Sequence, residues 1–238
     1  QEVSRWTAGE VVVADFLPTL LEALARSGCP YDAYAATPSF AGGLPVDGEW
    51  MHVQGCNVTL VRSGGPVEVV AERVGAFTRR HEVGSGVDGV RFPIERGWSV
   101  LECRVGGREL RFANTHTEAY DAAVRDAQRD ELLSLLGPGG PRVVVGDFNA
   151  TPDQVGMPAG LVDAWAAAGE GAGPTWGQTA GLANADSALR ERIDYVFVGD
   201  ARVLGCRVVG DGQGERTDPS GLWPSDHAAV VTELDLTR

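Results

Sequence analysis

Val143-Val144-Val145-Gly146-Asp147-Phe148-Asn149-Ala150-Thr151-Pro152 carries more information about this chain than any other ten residues. Three β-branched residues in succession read as a buried strand, Gly146 interrupts them, and a carboxylate and an amide follow two positions apart. In extended backbone, residues i and i+2 face the same side, so Asp147 and Asn149 are expected to project together. Thr151-Pro152 then breaks the ladder and opens a loop. Two oxygen-bearing side chains held at a strand end suit work on a metal-bound phosphate. The plainer reading is an Asx turn that closes the strand, and it prevails unless other segments agree.

Bulk properties narrow the field. A chain of 238 residues with 43% apolar content can bury a full-sized core. The formal charge of −13 is a poor footprint for gripping long nucleic acid, although it leaves room for a local basic cleft. All 20 basic residues are arginine, which excludes Schiff-base chemistry and a P-loop lysine. Cys29, Cys56, Cys103 and Cys206 lack paired zinc spacing and read as small packed hydrophobes, with a disulfide as the alternative. No apolar run is long enough to span a bilayer.

The periodicity predicts a helix over Glu10 to Arg26, with Thr7 able to cap its start, Gly28 its end, and Pro18 marking a kink or a later start. A second helix is expected over Ala119 to Leu136, ended by Gly137-Pro138. Strands are expected at Asn57 to Arg62, Val67 to Val74, Trp98 to Val105, Glu109 to Thr115, Ile193 to Val198, Ala201 to Val209 and Ala228 to Leu236. Gly106-Gly107 makes a hairpin of the third and fourth. The Gly/Ala-rich stretch from Gly156 to Ala185 and the polar loop from Asp211 to Gly221 show no element. Many strands, two helices, and neither repeat nor linker point to one α+β domain over residues 1–238.

Three further segments offer chemistry. Asn114-Thr115-His116-Thr117-Glu118 ends a strand with a histidine placed to donate to an anionic oxygen, or simply a surface histidine. In Arg192-Ile193-Asp194-Tyr195-Val196-Phe197-Val198, Asp194 shares a face with two valines, where an unpaired carboxylate is costly. A histidine partner would be held in one tautomer and favoured in its charged form. Trp223-Pro224-Ser225-Asp226-His227 supplies that candidate. Adjacent Asp226 and His227 point opposite ways from extended backbone, so one can face a metal while the other faces Asp194.

Gln1-Glu2, Asn114-Thr115-His116, Gly146-Asp147-Phe148-Asn149, Arg192-Ile193-Asp194-Tyr195 and Ser225-Asp226-His227, in this order, resemble the endonuclease/exonuclease/phosphatase superfamily. That group includes deoxyribonuclease I, exonuclease III-type AP endonucleases, inositol polyphosphate 5-phosphatases and bacterial sphingomyelinases. Each motif is short; five in order from Gln1 nearly to the C-terminus are specific. The resemblance implies a deoxyribonuclease I-like four-layer α/β-β/α sandwich. It implies that Glu2 and Asp226 bind metal, that Asp147 orients or deprotonates the attacking water, and that Asn149 holds phosphate and nucleophile. His227, oriented by Asp194, contacts the phosphate, and His116 lies near the scissile bond. Arg96, before the strand from Trp98, and Arg62 are candidates for substrate contact, with surface charge as the competing reading. Hard oxygen donors suit Mg²⁺ or Mn²⁺. The source of the leaving group's proton stays open between His116, a metal-bound water and others.

The chain departs from the family at its start. Members open with a strand bearing an asparagine, whereas Gln1-Glu2 comes first here; the expectation is a sandwich lacking that strand, destabilised and weakly active. The function implied is metal-dependent phosphoester hydrolysis, as a phosphodiesterase or phosphatase. Its rivals are a nuclease of the same superfamily and a binding module that kept the fold without catalysis. The acidic charge favours a small phosphoester or lipid headgroup over long nucleic acid as partner. The segments at Arg192 and Trp223 look most like exported actinobacterial members, so an extracytoplasmic location is expected.

Overall fold

The computed structural model describes residues 2–84, 91–157 and 159–237, with the side chains of residues 2, 44, 91 and 92 outside that description. The chain divides into two compact units, residues 1–138 and 139–238. None of the described helices is long and apolar enough to cross a membrane.

The first unit opens with a hairpin of β1 (Glu2–Ala8) and β2 (Val11–Asp15). The expected helix from Glu10 is corrected here: Gly9, at φ 56°, makes the turn, and the β-branched run Val11-Val12-Val13 pairs with β1. Helix α1 (Phe16–Arg26) starts only after Asp15, so Thr7 is a strand residue and Pro18 falls in the first helical turn, where its missing N–H is harmless. The helix closes as expected: Gly28 and Cys29 donate their N–H groups to the carbonyls of Ala25 and Leu24, at 3.0 and 3.0 Å.

Two long strands follow, β3 (Tyr31–Val46) and β4 (Glu49–Arg62), and the sheet runs β2-β1-β4-β3. Pro38 and Pro45 argue against a strand at β3, yet β3 is the last strand in that order, where a missing N–H costs no ladder bond. A second antiparallel set joins β5 (Val67–Ala76) to β8 (Gly97–Val105) and β8 to β9 (Arg108–His116). A small hairpin, β6 (His81–Gly84) with β7 (Arg91–Ile94), lies between them in sequence. Ala35 of β3 is buried against Leu101 and Cys103 of β8, with Val61, Val67 and Phe112 around them, so the two sheets share an apolar core. Cys103 is a free thiol whose pKa is pushed up by burial, consistent with a packing role. Helix α2 (Ala122–Leu136) lies against β8 and β9. Asp121 caps it by accepting from the N–H groups of Ala123 and Val124, which starts the helix three residues later than its periodicity indicates.

In the second unit, β12 (Asp194–Gly199) pairs antiparallel with both β10 (Arg142–Asp147) and the short β11 (Val162–Asp163). Helix α3 (Ala164–Ala168) is capped by the Asp163 carboxylate, and β13 (Arg202–Val209) pairs with β14 (Ala229–Asp235). Phe148, Tyr195 and Phe197 are buried together, with Tyr195 stacked on Phe197 at 5.0 Å and Phe148 edge-on to both. This aromatic block anchors the ends of β10 and β12, where the polar residues begin.

Candidate active site

Antiparallel pairing of β10 with β12 sets Val145 opposite Val196, Gly146 opposite Tyr195 and Asp147 opposite Asp194. The two carboxylates are therefore cross-strand neighbours, an arrangement that repels unless a positive charge lies between them. His227 supplies it. Its Nδ1 lies 2.8 Å from Asp194 Oδ2 and its Nε2 lies 4.0 Å from Asp147 Oδ2. Burial opposes charge on the ring, but the hydrogen bond and charge of Asp194, then Asp147 and Asp226, outweigh it and raise the pKa to about 9. His227 therefore carries its proton at neutral pH, donating Nδ1–H to Asp194 and presenting Nε2–H toward Asp147.

Asp147 and Asn149 do not sit side by side on extended backbone. β10 ends at Asp147, Asn149 adopts φ 46°, and Asp147 Oδ1 accepts the Asn149 N–H at 2.7 Å. The correction has a plain cause: an aspartate at a strand end bonds to its own chain two residues on, and asparagine tolerates the left-handed conformation this requires. The turn leaves Oδ2 of Asp147 to face His227.

The scaffold holding these groups was missed within the Gly/Ala-rich stretch. Thr175 Oγ1 accepts the N–H groups of Ile193 and Asp194, each at 3.1 Å, and the Thr175 carbonyl accepts from Ala228 N–H at 2.7 Å. One threonine thus ties the residue before and at Asp194 to the residue after His227. Trp176 bridges to both Glu191 and His227, its ring centroid 6.4 Å from the imidazole. The only sequence signal was an aromatic after Pro174-Thr175 in a run otherwise of small residues. Arg192 braces the start of β12, 2.7 Å from Asp163 Oδ2 and with its guanidinium carbon 4.8 Å over the Tyr195 ring. The Tyr195 hydroxyl bonds the carbonyls of Ala150 and Arg192, which locks the Asn149 turn to β12.

The remaining expected residues lie on the following elements. Asp226 is exposed beside His227, with Ser225 Oγ 3.4 Å from its Oδ1, and it does not join the Asp147–Asp194–His227 group. The Glu2 side chain lies outside the described residues; its backbone opens β1 opposite Asn57, two strands ahead of the first helix rather than directly before it. His116 ends β9, Arg62 ends β4 in an exposed position, and Arg96 is buried just before β8. These four belong to the first unit; Asp147, Asn149, Asp194, Asp226 and His227 belong to the second.

Asp147, Asp194 and His227 each offer a ligand atom within 4.8 Å of the others, and two carboxylates with an imidazole suit a divalent cation. A cation bound through Nε2 of His227 and a proton on that nitrogen exclude one another. In metal-free protein, the raised pKa predicts a definite pH dependence. His227 titrates near 6.5 when unfolded and about 9 when folded, so its contribution to stability is complete below pH 6.5 and disappears as pH rises through about 9. The upper bound is about 3 kcal/mol, reduced by solvent screening because the ring is still 28% exposed. Thermal denaturation in chelator from pH 6 to 10 should show a fall in Tm that His227→Gln lacks; equal falls in both proteins contradict the pairing.

The profile of the Endonuclease/Exonuclease/phosphatase family matches residues 3–227. No curated protein sequence matches the chain. Among solved structures, truncated TDP2 of Caenorhabditis elegans is similar, with 23% identity, 94% of this chain and 81% of that one covered, and a TM-score of 0.59. A mannosyl-6-phosphatase of Bacteroides thetaiotaomicron is similar with 20% identity, 91% and 81% coverage and a TM-score of 0.62. TDP2 of D. rerio, solved with a single-strand DNA product, gives 16%, 92%, 82% and 0.61. At these identities the likeness speaks for fold, and the α+β class read from the sequence stands. The profile match covers nearly the whole chain and takes in Asp147, Asn149, Asp194 and His227: this chain belongs to the endonuclease/exonuclease/phosphatase family of phosphoester hydrolases.

Proposed function

We propose that the protein is a Mg²⁺-dependent hydrolase of small phosphoesters, with Asp147, Asn149, Asp194 and His227 as its working residues. The observation that carries this reading is the pair of facing carboxylates with His227 bonded to one and directed at the other. The hard oxygens of Asp147 and Asp194 are the described groups that would hold the cation, which when bound would polarise a phosphoryl oxygen. The metal roles that the resemblance gives Glu2 and Asp226 are separate proposals, read from cation affinity in Glu2→Gln and Asp226→Asn.

This chain's own groups account for the rest. Water adds to phosphorus and surrenders a proton to Asp147, whose orientation is set by the Asn149 N–H. The ester P–O bond breaks with its electron pair going to the leaving oxygen. His227, held in one orientation by Asp194, donates Nε2–H to the charge that grows on the phosphoryl oxygens. A formal charge of −13 disfavours a long polyanion as substrate.

A substrate panel tests this: bis-p-nitrophenyl phosphate, p-nitrophenyl phosphate, phosphocholine esters, and single- and double-stranded oligonucleotides, each at fixed Mg²⁺. We expect kcat/KM on a small phosphoester to exceed that on oligonucleotides by at least about tenfold at 0.15 M salt. A reversed order puts a nuclease in place of this reading.

A further inference from the structure

Two strand interruptions in the first unit fall at one place. In β3, Ala35 and Ala36 stand opposite the single residue Val58, between the pairs Tyr34 with Thr59 and Thr37 with Asn57. In β5, Val70 is left unpaired between Val69, opposite Cys103, and Ala71, opposite Glu102. Such bulges bend a strand and disrupt its ladder locally. Ala35 carries a further cost: it is buried and adopts φ 53°, the left-handed region that alanine enters reluctantly. One side chain ties the two bulges together, since Glu72 Oε2 of β5 accepts the Ala35 N–H at 3.0 Å.

A cavity of about 650 Å³ borders both bulges, walled by Leu17 of α1, by Val58, Val69 and Val70, and by the alanines at 33, 35, 36 and 71. Among the described residues, Tyr34 and Glu72 bring its only polar side chains, and Glu72 its only charge. Glu72 Oε1 has no partner among those residues, and the adjacent Arg73 bonds the Leu135 carbonyl instead. The size and lining are those of a small-molecule site, mostly apolar with a few polar groups to fix orientation. Water in such a space finds few partners, so a hydrocarbon displaces it with a gain in affinity.

We propose that this cavity binds an amphiphilic amine, with its alkyl chain against the alanines and valines and its ammonium group on Glu72. The apolar wall selects hydrocarbon. A carboxylate oxygen only accepts, so it selects a donor, and a charged donor over a neutral one. No cationic side chain among the described residues lines the wall, which disfavours a fatty acid or an alkyl phosphate. The formal charge of −13 acts in the same direction. The site lies wholly within the first unit and is independent of the phosphoester reading. The rival role for Glu72, an inward carboxylate that only protects the edge strand β5, predicts no amine binding.

Octylammonium is the probe, titrated as a monomer into the full chain by calorimetry, with octanoate and octan-1-ol alongside. We expect saturable binding at sub-millimolar order, tighter by about fourfold per methylene from hexyl- to octylammonium. Octanoate should bind at least about fivefold more weakly than octylammonium. Glu72→Gln keeps an oxygen for the Ala35 N–H and removes the charge. Octylammonium affinity should then fall about fivefold while that of octan-1-ol holds. Ala33→Leu adds bulk to the wall and should weaken both ligands about tenfold. Absence of saturable octylammonium binding at 10-millimolar order overturns the proposal. So does octanoate binding as tightly as octylammonium, or an octylammonium affinity that Glu72→Gln leaves unchanged. Glu72→Gln decides the matter if Ala33→Leu does not fold.

Discussion

Asp147→Asn should lower kcat for phosphoester hydrolysis by about three to four orders of magnitude while leaving the fold in place. The two effects separate because Asp147 does two things with two oxygens. Oδ1 accepts the Asn149 N–H at 2.7 Å, and an asparagine carbonyl oxygen keeps that bond. Oδ2 faces Nε2 of His227 at 4.0 Å, and it is the oxygen proposed to act on the water. An amide there can neither take a proton from water nor offer a carboxylate to a cation. Stability should change little, since losing the carboxylate also relieves its repulsion with Asp194 across the strand pair. A variant with unchanged Tm and lost activity supports the assignment; activity within threefold of the parent removes Asp147 from the chemistry.

Asp194→Asn is the second large effect, and its signature is in the pH profile. With the charge gone, burial is no longer outweighed and the His227 pKa should fall from about 9 toward or below the ordinary histidine value of 6.5. At saturating Mg²⁺, the alkaline limb of kcat should move down by about two pH units. Loss of rate at pH 8 is then about ten- to thirtyfold, and smaller at pH 6, where the ring regains its proton. A uniform loss across pH means that Asp194 only braces the loop. Asp194→Glu, which restores the charge on a longer arm, should return part of the profile.

How much of this was legible beforehand depends on whether a feature is local. Val143 to Val145 ending at Gly146 announced β10, and Asp194 among valines announced a partner that proved to be His227. Where the sequence misled, a local competitor prevailed. Val11 to Val13 matched a helical period but are β-branched and follow a glycine turn, so they pair with β1. β3 was hidden by its two prolines, whose cost vanishes only because β3 ends its sheet, a fact of topology rather than of composition. Asn149 left the strand face because Asp147 preferred a bond to its own backbone. Thr175 was invisible for a different reason: its value lies in touching Ile193, Asp194 and Ala228, residues far along the chain.

The family match gives the class of chemistry, and the proposed working residues are the group that the local geometry brings together. What remains is whether the facing carboxylates and His227 act through a divalent cation. The measurement is the initial rate on bis-p-nitrophenyl phosphate for protein stripped with chelator, then titrated with Mg²⁺ and, in parallel, with Ca²⁺. The account predicts a rate at the background level after stripping and recovery of at least about a hundredfold on adding Mg²⁺, with Asp147→Asn failing to recover. A stripped protein that keeps its full rate, or an Asp147→Asn variant that recovers like the parent, contradicts it.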